Sequence, residues 1–269
     1  MLLSQKKYNH SSDLVIFFEY ILLKTIMPVT VFTTLVLSIT SLLAAIIGGA
    51  TGLGGGTLLL AIIMLLVKTE YVIPLHAALQ FISNGTRVTI FRKNINRKIT
   101  GYFMVGILPG VLLGIYTFTL LDKSTIRLVM ALFILISVYM PKFKSSGDTN
   151  LRIFIPVGFV AGVIGIFFGA IGPFISPFFL RNDILKEELV ATKATVQLIS
   201  HFLKIPLFGF IGINVFQYWP LILTLSIFLI AGTFIGKKLL SKLSDKHFKY
   251  IFKIILTLIA IRMLVGYFI

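Results

Sequence analysis

The sequence predicts an all-α fold: a polytopic bundle of membrane helices with two duplicated halves of inverted topology, each containing a glycine-rich broken helix. Three observations lead to this prediction. Of the 269 residues, 57% are hydrophobic and only 13% are charged, whereas a soluble domain carries roughly 25% charged residues. The apolar residues form runs near the ~20 residues that span a bilayer. The same order of glycine and polar residues occurs twice along the chain.

The apolar runs are all interpreted as helices, because only helices satisfy their own backbone hydrogen bonds in lipid without closing a barrel. Residues 1–28 are treated as a separate N-terminal segment. We expect no cleavable signal peptide there, because Asp13, Glu19 and Lys24 interrupt its apolar stretch. The runs lie at about 29–50, 52–67, 71–91, 101–121, 124–140, 152–180, 187–211, 216–236 and 247–269.

An offset of 117 residues (169 − 52 = 117) relates the two halves of the chain. It carries Gly52 to Gly169 and Gly55 to Gly172, and it carries a stripe of polar residues to a second stripe. The matched polar pairs are His76 with Lys193, Gln80 with Gln197, Ser83 with Ser200, Asn84 with His201, and Arg87 with Lys204. The sequence therefore predicts an internal duplication with halves at 29–141 and 152–269, joined by a polar cytoplasmic linker at 142–151.

The basic loops give the orientation of the helices, because loops rich in lysine and arginine stay in the cytoplasm. By this rule the run 71–91 ends inside, while its repeat partner 187–211 ends outside. The two halves would then insert in opposite directions, which is common in secondary transporters. The side of the N-terminus stays open, since Lys6 and Lys7 favour the cytoplasm and the inverted arrangement favours the outside. The predicted cytoplasmic loops lie near 92–98, 142–152 and 237–249.

Two glycine-rich segments, at 48–56 and 165–177, divide long apolar regions into short pieces. Glycine allows positive φ and close backbone approach, and a helix that starts within the membrane points unpaired N–H groups inward. We expect each break to form half of an anion site; the plainer interpretation is close packing of small residues. The predicted site residues are Gly52, Gly54, Gly55, Gly56, Gly169, Gly172 and Pro173, whereas helix packing is favoured for Gly110, Gly114, Gly232 and Gly236.

The polar residues of each stripe recur at spacings of three and four, which places them on one helix face. Polar groups inside a span face a cavity, a pathway or one another. Arg87 and Lys204 either pair with an anion's charge or lie near helix ends and extend to the interface. The amides and hydroxyls either donate to the anion or hold helices together. The predicted substrate-binding residues of the stripes are Gln80, Ser83, Asn84, Arg87, Gln197, Ser200, His201 and Lys204.

Other chemistries find little support. The chain has no cysteine, which excludes thiolate metal sites and thiol catalysis, and neither a metal nor a cofactor is predicted. No carboxylate sits clearly inside a span. His201 is the one titrating group expected within the membrane on the stripes, because His76 and Lys193 are expected near loops. A nucleic-acid partner is rejected, because the net charge of +16 is distributed between apolar runs.

At these residues the sequence resembles the sulfite exporter TauE/SafE family. The resemblance rests on residues 48–56 and 76–87 in the first half, and on residues 169–177 and 191–206 in the second. It covers about 30–268. It implies a permease with duplicated halves and about eight spans, whose substrates are sulfite, organosulfonates or related small anions. The proline-rich character of the second glycine segment implies that the two half-sites differ.

The expected function is that of a secondary transporter, a permease that moves a small anion by alternating access. The anion is expected to be sulfite, an organosulfonate or a related sulfur-containing anion, and the membrane is expected to be the cytoplasmic membrane. Two alternatives stay open: an intramembrane enzyme acting on a lipid phosphate, which would need a buried base, and an anion channel. The expected partners are the anion and the lipid bilayer, and the oligomeric state is left open.

Overall fold

The computed structural model describes residues 30–52, 54–139, 150–179 and 186–239, together with Thr257 and Ile261. Across these ranges the secondary structure is entirely helical, with no strand. The predicted segment 1–28, most of the linker and nearly all of the last apolar run lie outside the described residues. The helices are α1 (Val31–Thr51), α2 (Gly55–Leu66), α3 (Thr69–Ile90), α4 (Arg97–Phe118), α5 (Lys123–Tyr139), α6 (Phe154–Phe168), α7 (Gly172–Phe179), α8 (Lys186–Phe210) and α9 (Trp219–Leu239).

Four helical segments are long and apolar enough to cross a membrane. Two of them are α1 and α4, and the other two are α6 and α9 with the short 3₁₀ turns that precede them. Their outer faces expose large apolar side chains, for example Leu35, Leu112 and Ile227, which are 58%, 59% and 68% exposed. Rows of such side chains suit lipid rather than water. The prediction of a membrane helix bundle is confirmed at this level.

The spanning helices pack in two close pairs, α4 against α6 and α9 against α1. A Cβ atom added to Gly110 would lie 2.1 Å from the carbonyl oxygen of Phe159, and one added to Gly236 would lie 2.3 Å from that of Ile46. Backbones can approach this closely only where no side chain intervenes. The favoured interpretation of Gly110, Gly114, Gly232 and Gly236 as packing residues is therefore confirmed.

Two short helices, α2 and α7, follow sharp turns at glycine. Helix α1 ends at Thr51, and Gly52 then adopts φ +65°; helix α6 ends at Phe168, and Gly169 adopts φ +67°. Both glycines donate their N–H back into the helix, to Gly48 and Gly165 respectively. This left-handed geometry is costly for residues with a Cβ. Helices α3 and α8 pack against each other beside these turns and carry the polar stripes inside the bundle.

Candidate substrate site

A small cavity lies where the α1–α2 turn, helix α3 and the first residues of α7 meet α8. The empty space between its lining atoms, including the open mouth, is about 300 Å³. The part of that space in which the centre of a water-sized sphere can lie is about 20 Å³. One water needs roughly 10–15 Å³ by that measure, so the cavity suits a compact ligand. It is lined by Gly48, Gly52, Gly54, Gly55, Gly56, Thr57, Gln80, Arg87, Ala170, Gly172 and Gln197.

Arg87 is the charged residue in this lining, and only 5% of its surface is exposed. Its Nε and Nη2 atoms donate to the carbonyl and hydroxyl oxygens of Ser83, at 3.3 and 3.1 Å. The guanidinium lies beside Gly48, where an added Cβ would be 3.3 Å from the Arg87 Cζ atom. The lining contains no carboxylate. A guanidinium in this setting can present a planar pair of donors to an oxyanion.

Further donors come from two glutamine side chains and from a helix start. Gln80 packs on Gly56, where an added Cβ would be 3.4 Å from its amide carbon. Gln197 packs on Gly172 in a similar way, with its Nε2 atom 3.0 Å from the added Cβ. The first N–H groups of α2 have no intrahelical partner, and Gly54 offers no side-chain cap. Amide groups from both halves of the chain thus surround the cavity.

Thr57 also lines the cavity, and sequence reasoning did not select it. It is 2% exposed, and its hydroxyl has no hydrogen-bond partner among the residues that the structure describes. A buried hydroxyl without a partner is uncommon, and a ligand in the cavity would supply one. Its position directly after the first glycine segment was the only signal in the sequence.

The two buried lysines bind helix ends rather than lining the cavity. Lys193 Nζ donates to the Gly52 carbonyl at 2.9 Å and to the Ser176 hydroxyl at 2.7 Å. Lys204 Nζ donates to the Gly169 carbonyl at 2.9 Å. Gly52 and Gly169 end α1 and α6, where the helix dipole is negative and carbonyls lack intrahelical donors. A lysine at this place satisfies both the charge and the free carbonyl.

The burial of these residues corrects one expectation and excludes one of two open alternatives. Lys193 and His76 are 1% and 0% exposed, so the expectation that His201 is the one titrating residue of the stripes inside the bundle is wrong. Lys204 is 0% exposed, and Arg87 is almost as deeply buried, so neither extends to the surface of the bundle. The error arose because helices α3 and α8 begin buried packing soon after their first turns, which the length of an apolar run does not reveal.

His76 and His201 lie in edge-to-face contact, with ring centroids 5.5 Å apart. His76 Nε2 forms a 2.9 Å hydrogen bond with the carbonyl of Gly56, a residue of the cavity lining. The Nδ1 atom of each ring is buried without a partner in the described part of the chain. His76 therefore lies directly behind the cavity lining, and His201 lies beside His76.

The cavity gathers about half of the predicted site residues. Ser83 holds Arg87, and Asn84 donates to the Gln80 carbonyl at 2.9 Å, so these two residues support the lining from behind. Seven predicted residues lie outside the lining: Ser83, Asn84, Gly169, Pro173, Ser200, His201 and Lys204. Eight lie in it: Gly52, Gly54, Gly55, Gly56, Gln80, Arg87, Gly172 and Gln197.

A buried cavity with a cation and several amide donors inside a membrane helix bundle is an arrangement that membrane transport proteins use for polar substrates. The chain belongs to the sulfite exporter TauE/SafE family, whose model matches residues 37–263. That family consists of transporters rather than enzymes. The comparisons found no significant match to a curated protein or to a solved structure.

Proposed function

We propose that this chain is a secondary transporter that carries a small sulfur-containing anion, such as sulfite or an organosulfonate, across the cytoplasmic membrane. The observation that carries the proposal is the buried guanidinium of Arg87 in a cavity without a carboxylate. An unpaired charge in such a place is costly, and an anionic ligand removes that cost. Membership of the TauE/SafE family supports an anion of this chemistry.

The anion binds between groups that differ in kind. Arg87 supplies charge and two parallel donors for oxygen atoms. Gln80, Gln197, the Thr57 hydroxyl and the first N–H groups of α2 supply neutral donors. The small size of the cavity favours an anionic headgroup of a few heavy atoms, held directly by protein donors after it has lost its water.

We also propose that the chain is an inverted duplication of 29–141 and 152–269 with a broken helix in each half. Reciprocal contacts support this. Lys193 of the second half binds the Gly52 carbonyl of the first. The matching residues make the opposite contact: His76, which matches Lys193, lies against Gly169, which matches Gly52. The His76 Nδ1 atom would be 3.3 Å from a Cβ atom added to Gly169.

Each of the two close helix pairs also joins one half of the chain to the other. Helix α1 of the first half packs on α9 of the second, and α6 of the second packs on α4 of the first. Each half thus completes the other around the cavity, an arrangement in which alternating access proceeds by rocking one half against the other. The turns at Gly52 and Gly169 lie at the contact between the halves.

Transport in proteoliposomes tests the function. Labelled sulfite uptake is measured with sulfate, an organosulfonate and a small carboxylate as competitors, in wild type, Arg87→Gln and Arg92→Gln. Arg92 lies in an exposed turn after α3, so its variant is the matched control. We expect saturable uptake that Arg87→Gln reduces at least ~30-fold, because losing one partner of a buried charged pair costs about 2–5 kcal/mol.

Three outcomes would contradict the proposal. Equal uptake by wild type and Arg87→Gln would remove the assigned site. A flux that does not saturate would indicate an anion channel. No uptake of any tested anion by folded, inserted protein would refute the proposed substrates and favour the lipid-phosphate enzyme, which release of phosphate from labelled lipid would then test.

A further inference from the structure

The two histidines behind the cavity have no task in anion binding as described above. His76 is 0% exposed and His201 is 1% exposed, and their rings touch with centroids 5.5 Å apart. His76 comes from α3 and His201 from α8, so the pair joins the two helices that carry the polar stripes. A buried pair of titratable rings beside a ligand cavity is an arrangement that can hold a proton.

The hydrogen bond to Gly56 defines the proton position on His76. A carbonyl oxygen can only accept, so His76 Nε2, 2.9 Å away, must donate. A neutral imidazole has one N–H group, and Nδ1 therefore carries a lone pair. Among the described residues nothing donates to that lone pair, and the Nδ1 atom of His201 is equally without a partner. The His76 Nδ1 atom is thus an open position for a proton.

The charges around the pair are all positive. Lys204 is close enough to act electrostatically on both rings, Arg87 acts on His201, and Arg87 and Lys193 act on each other. The hydrogen bonds of these three cations, within the described ranges, go to carbonyl and hydroxyl oxygens and not to a carboxylate. A further positive charge is unfavourable here while the cavity is empty. An anion in the cavity supplies the missing negative charge and favours protonation of the pair.

A single peptide group connects the proton position with the anion position. The Gly56 carbonyl accepts from His76, and the N–H of the same peptide group belongs to Thr57, in the first turn of α2 beside the cavity. A charged His76 polarises this peptide group so that its N–H becomes a stronger donor. An anion that accepts a hydrogen bond from this N–H polarises the same peptide group. It therefore favours the protonated form of His76, because linkage between two sites is reciprocal.

We propose, on the basis of the anion-carrier function above, that the His76–His201 pair takes up a proton when the anion binds, so that anion and proton cross the membrane together. The proton adds to the lone pair of a ring nitrogen, which is Nδ1 in His76, and converts imidazole to imidazolium. It leaves from the same atom when the anion is released on the opposite side. No bond to the anion forms, and no other reactant is consumed.

Calorimetry of anion binding tests the coupling. Binding is measured in two buffers with different enthalpies of ionisation, for wild type, His76→Gln and His201→Gln, with methanesulfonate and with sulfite. Methanesulfonate does not titrate near neutral pH, and the protonation of sulfite itself cancels when variants are compared with wild type. The amide of His76→Gln can still donate to the Gly56 carbonyl but cannot take up a proton.

We expect wild type to take up about one proton per anion, because two rings in contact titrate as one coupled pair. At least one glutamine variant should bind the anion with a proton count reduced by about half or more. Anion exchange between liposomes loaded on both sides should persist in that variant, while proton-driven accumulation is lost.

Two results would overturn the coupling and leave the anion carrier intact. The first is that wild type binds methanesulfonate without proton uptake, and that wild type and variants have the same proton count when they bind sulfite. The second is an unchanged proton count in both glutamine variants. Wild-type protein that binds neither anion would overturn the proposed function itself and the coupling with it. Should His76→Gln fail to fold, His201→Gln decides between these results.

Discussion

Arg87 and Lys204 occupy matching positions in the two halves of the proposed duplication, but their surroundings differ. Arg87 lines the cavity, and its hydrogen bonds reach back to Ser83 on its own helix. Lys204 lies outside the lining and donates to the Gly169 carbonyl at the end of α6. Arg87 thus lies at the cavity, while Lys204 completes a helix end.

The difference follows from the chemistry of the two side chains. A guanidinium presents several donors in a fixed plane and suits two oxygens of one anion, whereas an ammonium is a compact charge that suits a single carbonyl. The neighbouring residues diverge accordingly. Gly56 lines the cavity in the first half, while its counterpart Pro173 lies outside the lining. A duplicated fold can therefore hold one asymmetric site.

Alanine substitutions at the two helix starts sharpen this comparison and should have the largest effects. A Cβ at position 55 would lie 2.0 Å from the Ala44 carbonyl oxygen, whereas one at position 172 would meet only the Gln197 amide at 3.0 Å. Backbone cannot yield as a side chain can, and overpacking costs about 1–3 kcal/mol or more. We expect Gly55→Ala to lower the midpoint of thermal unfolding sharply, and Gly172→Ala to fold normally but bind the anion more weakly.

Size-exclusion chromatography in detergent and thermal unfolding check this prediction. Gly101→Ala is the matched control, because it lies in a helix and an added Cβ there meets nothing within 4 Å. That variant should be as stable as wild type, or more stable by up to ~1 kcal/mol from helix propensity. An unchanged unfolding midpoint in Gly55→Ala would show that the start of α2 is less tightly fixed than its contacts indicate.

The sequence predicted the membrane class, the positions of the helix turns and eight of the eleven residues that line the cavity. Glycine patterns and apolar runs depend on local backbone geometry and on contact with lipid, and both are visible in a single chain. The role of Lys204 at the end of α6 could not be predicted from local sequence patterns. Its partner, the Gly169 carbonyl, lies 35 residues earlier in the chain, and no spacing rule identifies which cation meets a helix end.

Thr57 and His76 are two further residues whose surroundings could not be predicted from the sequence. Threonine within an apolar run usually bonds to its own helix, so nothing marked Thr57 as a ligand-facing residue. His76 was expected near a loop, and it lies only five residues (76 − 71 = 5) after the start of the apolar run at 71–91. Its burial depends on contacts with Gly56 of α2 and His201 of α8, which are tertiary features that run lengths do not contain.

Replacing Lys204 by methionine separates helix capping from anion binding and should have an intermediate effect. Methionine keeps the length of the side chain but leaves the Gly169 carbonyl without its donor, and an unsatisfied buried polar group costs about 1–3 kcal/mol. We expect a lower midpoint of thermal unfolding, with a much smaller rise in the anion dissociation constant than Arg87→Gln causes. Equal losses of anion affinity in the two variants would place Lys204 among the anion ligands.

The smallest expected effect belongs to a substitution of Thr57, which lies in the cavity lining with Arg87. Thr57→Val has nearly the same shape but no hydroxyl, and that hydroxyl has no protein partner within the described part of the chain. Stability should therefore stay close to that of wild type, because no protein hydrogen bond is lost. Anion affinity should fall about two- to tenfold, since a net hydrogen bond is worth ~0.5–1.5 kcal/mol.

Thr57→Ser serves as the control, because it retains the hydroxyl and should retain affinity. Measuring the dissociation constant and the unfolding midpoint of both variants separates the two possible roles of the residue. A loss of stability without a loss of affinity in Thr57→Val would mean that the hydroxyl supports the turn between α1 and α2. A loss of affinity alone would add a neutral donor beside Arg87 and strengthen the contrast with the half in which Lys204 completes a helix end.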